Sequence, residues 1–132
     1  LSHLMLNENE IVIVDMEAGI EHLGRATARG VDAMLMVVEP GRRSIQTAEA
    51  ITKLAADIGI SRVMMVVNKV TPADESFCDG LKEKFHVIGC LPLMEEVRQA
   101  DLNGQPPFEA APAYVELVTE VMEKIEQEIG EK

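Results

Sequence analysis

Four short apolar runs, spaced by segments of helical periodicity, constrain this chain more than any other feature. They are Ile11-Val12-Ile13-Val14, Ala33-Met34-Leu35-Met36-Val37-Val38, Val63-Met64-Met65-Val66-Val67 and Val87-Ile88-Gly89-Cys90-Leu91. None alternates polar with apolar residues, so each reads as a strand covered on both faces, as in a parallel sheet built from repeated βα units. Between the second and third runs, Ile45, Ala48, Ile51, Leu54, Ala55 and Ile58 recur at helical spacing. Ser44 is the expected N-cap of that helix and Gly59 its stop. Shorter helices are expected over 21–29 and 75–85. A last helix is expected over 113–129, with Val115, Val118, Val121, Met122, Ile125 and Ile129 on one stripe and Glu116, Glu120, Glu123, Glu126 and Glu128 on the polar face. The fold class is therefore α/β, a parallel sheet flanked by helices.

Composition narrows the function. With 132 residues and 47% hydrophobic content the chain can bury one core. A formal charge of −11, from 23 acidic and 12 basic side chains, argues against a nucleic-acid partner. No apolar run approaches the roughly 20 residues of a membrane span, and the acidic face of the last helix would be repelled by an anionic leaflet, so no membrane partner is expected. A cytoplasmic location follows as the default. Cys78 and Cys90 form neither a disulfide framework nor a CxxC pair, and read as buried reduced thiols. The first residue is Leu1 and a strand-like run follows almost at once, so the chain is expected to be part of something longer.

In open parallel sheets, ligands bind beyond the carboxyl ends of the strands. Those ends are Asp15, Glu39-Pro40-Gly41, Asn68-Lys69 and Leu91-Pro92. An apolar strand delivering an aspartate suits the water shell of Mg²⁺ beside a nucleotide. Gly19 supplies a mobile amide of the kind that senses a terminal phosphate. The Asn68 amide offers a donor and an acceptor to a purine edge, and Lys69 follows it. Arg42 and Arg43 lie on the same edge, as phosphate or partner contacts or as a solvated turn, and His22 reads as a packing residue.

The segment Asp15-Met16-Glu17-Ala18-Gly19-Ile20-Glu21-His22-Leu23-Gly24-Arg25 resembles the switch II region of the CooC-type ATPases. These are nickel-insertion accessory proteins of carbon monoxide dehydrogenase, in the deviant P-loop (SIMIBI-type) class that includes MinD, ParA and the nitrogenase iron protein. The likeness continues through Val37-Val38-Glu39-Pro40, Ser44-Ile45-Gln46-Thr47-Ala48, Val67-Asn68-Lys69-Val70, Gly89-Cys90-Leu91-Pro92 and the stretch from Ala100-Asp101 to Gly104-Gln105-Pro106. The resemblance implies that Asp15 and Gly19 are catalytic, as the Walker B carboxylate and the γ-phosphate switch. It further implies that Asp15, Glu17, Gly19, Asn68, Lys69 and Pro92 contact ATP or ADP, with Mg²⁺ held by Asp15 through water, Asn68 on adenine and the loop after Pro92 lining the base pocket.

Two elements of that class have no counterpart here. No GxxxxGK[ST] loop occurs in the sequence, so ATP hydrolysis is expected only when a P-loop-bearing N-terminal half completes the site. No Cys-x-Cys pair occurs either, so the chain supplies no nickel ligands of its own. Residues 1–132 are accordingly expected to be one partial domain, the C-terminal half of a P-loop NTPase fold lacking the P-loop strand. By resemblance that strand sits between those ending at Asp15 and Glu39. The chain should then pair with its missing half, form a homo-oligomer or swapped sheet, or be marginal. The expected function is the C-terminal part of an ATP-dependent metallochaperone for nickel insertion into carbon monoxide dehydrogenase. The alternative is a nucleotide-free interaction module derived from a MinD/ParA-like half-domain.

Overall fold

The computed structural model describes residues 9–16 and 30–130. Its frame is a three-stranded parallel sheet of β1 (Met34–Val38), β2 (Val63–Val70) and β3 (Val87–Pro92), in that spatial order. The helices are α1 (Arg42–Ile58), α2 (Glu75–Lys84), α3 (Glu95–Leu102), a single turn α4 (Pro107–Ala110) and α5 (Pro112–Gly130).

Three of the four expected strands are present, and β2 runs past the apolar run to take in Asn68 and Lys69. Ile11-Val12-Ile13-Val14 is the exception. It forms no strand, and Ile11 and Ile13 are 58% and 75% exposed. A strand needs a hydrogen-bonding neighbour as well as β-branched residues. Among the described residues the outer edge of β1 carries no such neighbour.

The pleat of the sheet divides the core in two. Met36, Met65 and Val67 point to one face, where Ala48 of α1 and Cys78 and Leu81 of α2 close over them. Met64, Val66, Ile88 and Leu91 point to the other, against Val121 of α5 with Tyr114, Leu117 and Ile125 beside it. Burial of this central strand from both sides is what its unbroken apolar run requires.

Three local details position these layers. Helix α1 begins at Arg42, with Gly41 preceding it and no side-chain cap, so Ser44 lies inside the first turn rather than at the N-cap. Its end is as expected: Gly59 adopts a left-handed φ of 90° and the Ile60 amide returns to the Ala55 carbonyl at 2.8 Å. On β3, Gly89 lets α5 approach closely, since a Cβ there would stand 2.7 Å from Val121 Cγ2.

Helix α5 packs with its stripe rotated from the expected one. Tyr114 and Leu117 lie against the sheet with Val121 and Ile125, while Val118 is exposed. Glu128, expected on the solvated face, instead meets His86 Nε2 at 2.6 Å, and Lys124 Nζ donates to the Ile88 carbonyl at 2.9 Å. No described helix is long and apolar enough to cross a membrane.

Candidate functional site

Parallel pairing brings the carboxyl ends of all three strands to one edge, where Glu39, Asn68-Lys69 and Pro92 gather. The register there is irregular. Val67 pairs with Cys90 and Val70 with Pro92, so Asn68 and Lys69 together oppose Leu91 alone. This is a β-bulge, a device that re-aims side chains where strand pairing ends. Lys69 takes the turn with φ 55°, the one non-glycine residue with positive φ among those described. A long side chain held in the left-handed region stores backbone strain, which persists only where its surroundings fix it.

Two contacts do that fixing. Lys69 Nζ meets Glu39 Oε1 at 2.7 Å, tying the end of β2 to the residue after β1, with both side chains more than half exposed. The bonded Glu39 carboxylate raises the Lys69 pKa first through the hydrogen bond and then through its charge, against a small opposing effect of burial; Asp101 and Tyr114 add weaker upward pulls. Beside it, Asn68 is half-buried and its Oδ1 accepts a hydrogen bond from the Tyr114 hydroxyl at 3.0 Å. The Tyr114 ring is anchored in the apolar layer under β2. Just beyond the bulge, the Asp74 carboxylate accepts from the Thr71 amide at 2.8 Å and the Thr71 hydroxyl at 2.7 Å, and these bonds lower its pKa. Leu93 closes the edge by donating its amide to the Val70 carbonyl at 2.9 Å.

The residues expected from sequence fall into four groups. Asn68, Lys69 and Pro92 share this edge. Asp15 is exposed and stands outside the three-stranded sheet. Glu17, Gly19 and His22 lie outside the described residues. Arg42 and Arg43 are exposed on the first turn of α1. Tyr114 was not anticipated, although it is the only tyrosine in the chain; the expected helix stripe omitted it, which was the available signal.

Chemically, the edge is equipped to recognise rather than to react. Asn68 can present an acceptor and donors to a heterocycle. Lys69 is engaged by Glu39, so an anion arriving there competes with a carboxylate already in place. Among the described residues no three His, Cys, Asp or Glu side chains gather as a metal site. A Mg²⁺ carried by nucleotide phosphates needs only one or two protein carboxylates, and Asp15 meets that modest requirement in type. Cys78 and Cys90 are free thiols on the α1/α2 side of the sheet. Burial, followed by the neighbouring Cys90, pushes the Cys78 thiol up, so it is a poor nucleophile at neutral pH. Of the shallow concavities, one lies at the opposite end of β2, by Gly59 and Val63, and the other between α3 and α4, by Gln99 and Ala110. Neither includes the strand-end residues.

No protein-family profile matches the chain. Individual proteins do. The carbon monoxide dehydrogenase accessory protein CooC of Rhodospirillum rubrum is 36% identical over 131 residues, which is 98% of this chain and 50% of that protein. An uncharacterized ATP-binding protein of Methanocaldococcus jannaschii is 46% identical over 109 residues, 80% of this chain and 42% of the relative. A second ATP-binding protein of that organism is 33% identical over 132 residues, 97% of this chain and 52% of the relative. The chain thus spans about half the length of the curated relatives it matches.

Proposed function

We propose that this chain, similar to CooC over 98% of its length, is a CooC-type relative corresponding to the C-terminal half of such a protein, and that it forms the base-recognition side of a Mg·ATP site in an ATP-dependent metallochaperone. The single observation that carries this reading is the bulge at the end of β2. It sets Asn68 half-buried at the ligand edge of a parallel sheet, with a hydrogen-bonding partner already on its Oδ1.

Adenine is the ligand proposed for Asn68, and the loop after Pro92 lines the rest of the base pocket. Lys69, released from Glu39, meets phosphate or ribose oxygen. Asp15 holds the water shell of the nucleotide's Mg²⁺, which on binding would supply charge neutralisation at the phosphates. Glu17 and Gly19 respond to the terminal phosphate. A P-loop-bearing N-terminal half completes the site, and two such assembled units form the working homodimer. Its client is a carbon monoxide dehydrogenase and its cargo nickel, whose delivery is gated by the nucleotide state.

The deciding experiment is isothermal titration of Mg·ATP and Mg·ADP into this chain, alone and mixed with an N-terminal P-loop half. Binding is expected only in the mixture, and Asn68→Ala should weaken it about tenfold. If the mixture binds, nickel transfer to apo carbon monoxide dehydrogenase with and without ATP tests the client. No binding in either sample, with the chain folded, favours a nucleotide-free interaction module. That second reading draws on the apolar face of β1, where Leu35 and Val37 are 40% and 61% exposed.

A further inference from the structure

We propose that Cys78 and Cys90 are a modification site, a dithiol that small disulfides of the oxidised-glutathione type convert reversibly into an intramolecular disulfide joining α2 to β3. The inference is independent of the nucleotide reading above. Cys78 lies within α2 and Cys90 on β3, and both are free thiols. Cys90 pairs in register with Val67 of β2, and it packs against the same apolar layer, under α1 and α2, to which Cys78 belongs. There the two side chains meet, and the thiols hydrogen-bond to each other. Cysteine side chains that converge from two packed elements satisfy the first geometric requirement of a disulfide.

The two thiols have different parts to play. Cys78 is buried, whereas Cys90 is half-buried on the strand that ends the described sheet, so Cys90 is the one a small disulfide reaches. The Cys90 thiolate attacks one sulfur of that disulfide, forming a mixed disulfide and expelling one thiol. Cys78 then attacks the Cys90 sulfur, its proton passing to the second thiol as that leaves. Two protein thiols are oxidised and one small disulfide is reduced to two thiols. Burial, then Cys90, and more weakly Asp74, push the Cys78 thiol up, with Lys82 opposing. Capping Cys90 removes its part of that effect, and the second step is intramolecular between side chains already in contact. A disulfide also suits this layer better than a thiolate-bound metal. Its product is neutral, and among the described residues no third His, Cys, Asp or Glu gathers with the pair.

The test incubates the folded, reduced chain with oxidised glutathione and follows intact mass, free thiols and a non-reducing peptide map. Both thiols should disappear together with the loss of two hydrogen atoms, the map should link Cys78 to Cys90, and dithiothreitol should restore the starting mass. Because the bond closes a short loop, the oxidised chain should melt about 5–15 °C higher than the reduced one. Cys78→Ala should stop at a glutathione adduct on Cys90, and Cys90→Ala should leave Cys78 unmodified over the same period. Two thiols left free in wild type, a lasting glutathione adduct on Cys90, or a disulfide-linked dimer overturns the inference. So does a lower melting temperature after oxidation, which would mean that the fold must distort to close the bond. Glutathione reaching Cys78 in Cys90→Ala as fast as Cys90 in Cys78→Ala overturns the order of the steps. Should either variant fail to fold, the wild-type map decides by itself.

Discussion

Single residues at the sheet carry predictions of known sign. Gly89→Ala places a Cβ 2.7 Å from Val121 Cγ2, so the Val121 side chain or α5 must give way; a loss of about 1–3 kcal/mol in thermal or urea unfolding is expected. Met65 is fully buried beneath α1 and α2, and Met65→Ala should cost about 2–5 kcal/mol by the same measurement. The titrating groups set a pH profile. Asp74 is held below its ordinary value of 3.8 by the Thr71 bonds, and Glu95 below 4.5 by Gln99 and Arg98. Both stabilise the fold fully above those values and lose that contribution as pH falls through their folded pKa. Lys69, raised above 10.5 chiefly by Glu39, contributes below that value and loses it as pH rises through the folded pKa. Melts recorded from pH 2 to 6 should show a flatter acid limb for Asp74→Asn, and Glu39→Gln should flatten the alkaline limb above pH 10.

Secondary-structure elements are tested by which of their faces tolerate change. On α5, Leu117 packs against the sheet and Val118 does not. Leu117→Ala should therefore cost about 1–2 kcal/mol in urea unfolding, and Val118→Ala no more than about 0.5 kcal/mol. The expected stripe chose Val118 because periodicity fixes the spacing of apolar residues but not which edge of a broad stripe meets the sheet. Contact with β3, and Gly89 in particular, decided the rotation. Helix α1 shows a similar division. Its end was legible in Gly59, because left-handed backbone strongly favours glycine. Its start was not: Ser44 has the side chain of a cap, yet the chain turns at Gly41 directly out of β1 and the helix is under way before Ser44 is reached.

At the scale of the whole molecule, the exposed apolar side of β1 governs behaviour in solution. Leu35 and Val37 pair in register with Met64 and Val66, on the face that α5 covers over β2 and β3 but leaves open at β1. Ile11, Val12, Ile13 and Val14 add a second exposed apolar segment. An uncovered edge strand is a template for association. Sedimentation velocity should accordingly show concentration-dependent self-association of the isolated chain, which Val37→Lys reduces; a monomer at all concentrations would count against an open edge. The same comparison separates what was written in the sequence from what was not. Unbroken apolar runs determined a parallel sheet, and the central strand β2 has the burial on both faces that its run calls for. The strand ends Glu39, Asn68 and Pro92 were legible as one shared edge, because parallel strands bring their carboxyl ends together. Tertiary structure alone decided the rest. It left Ile11–Val14 without a strand, because sheet formation depends on a neighbour and not on the run itself. It also set Tyr114 against Asn68 across 46 positions of sequence, a contact that arises only from the way α5 packs on the sheet.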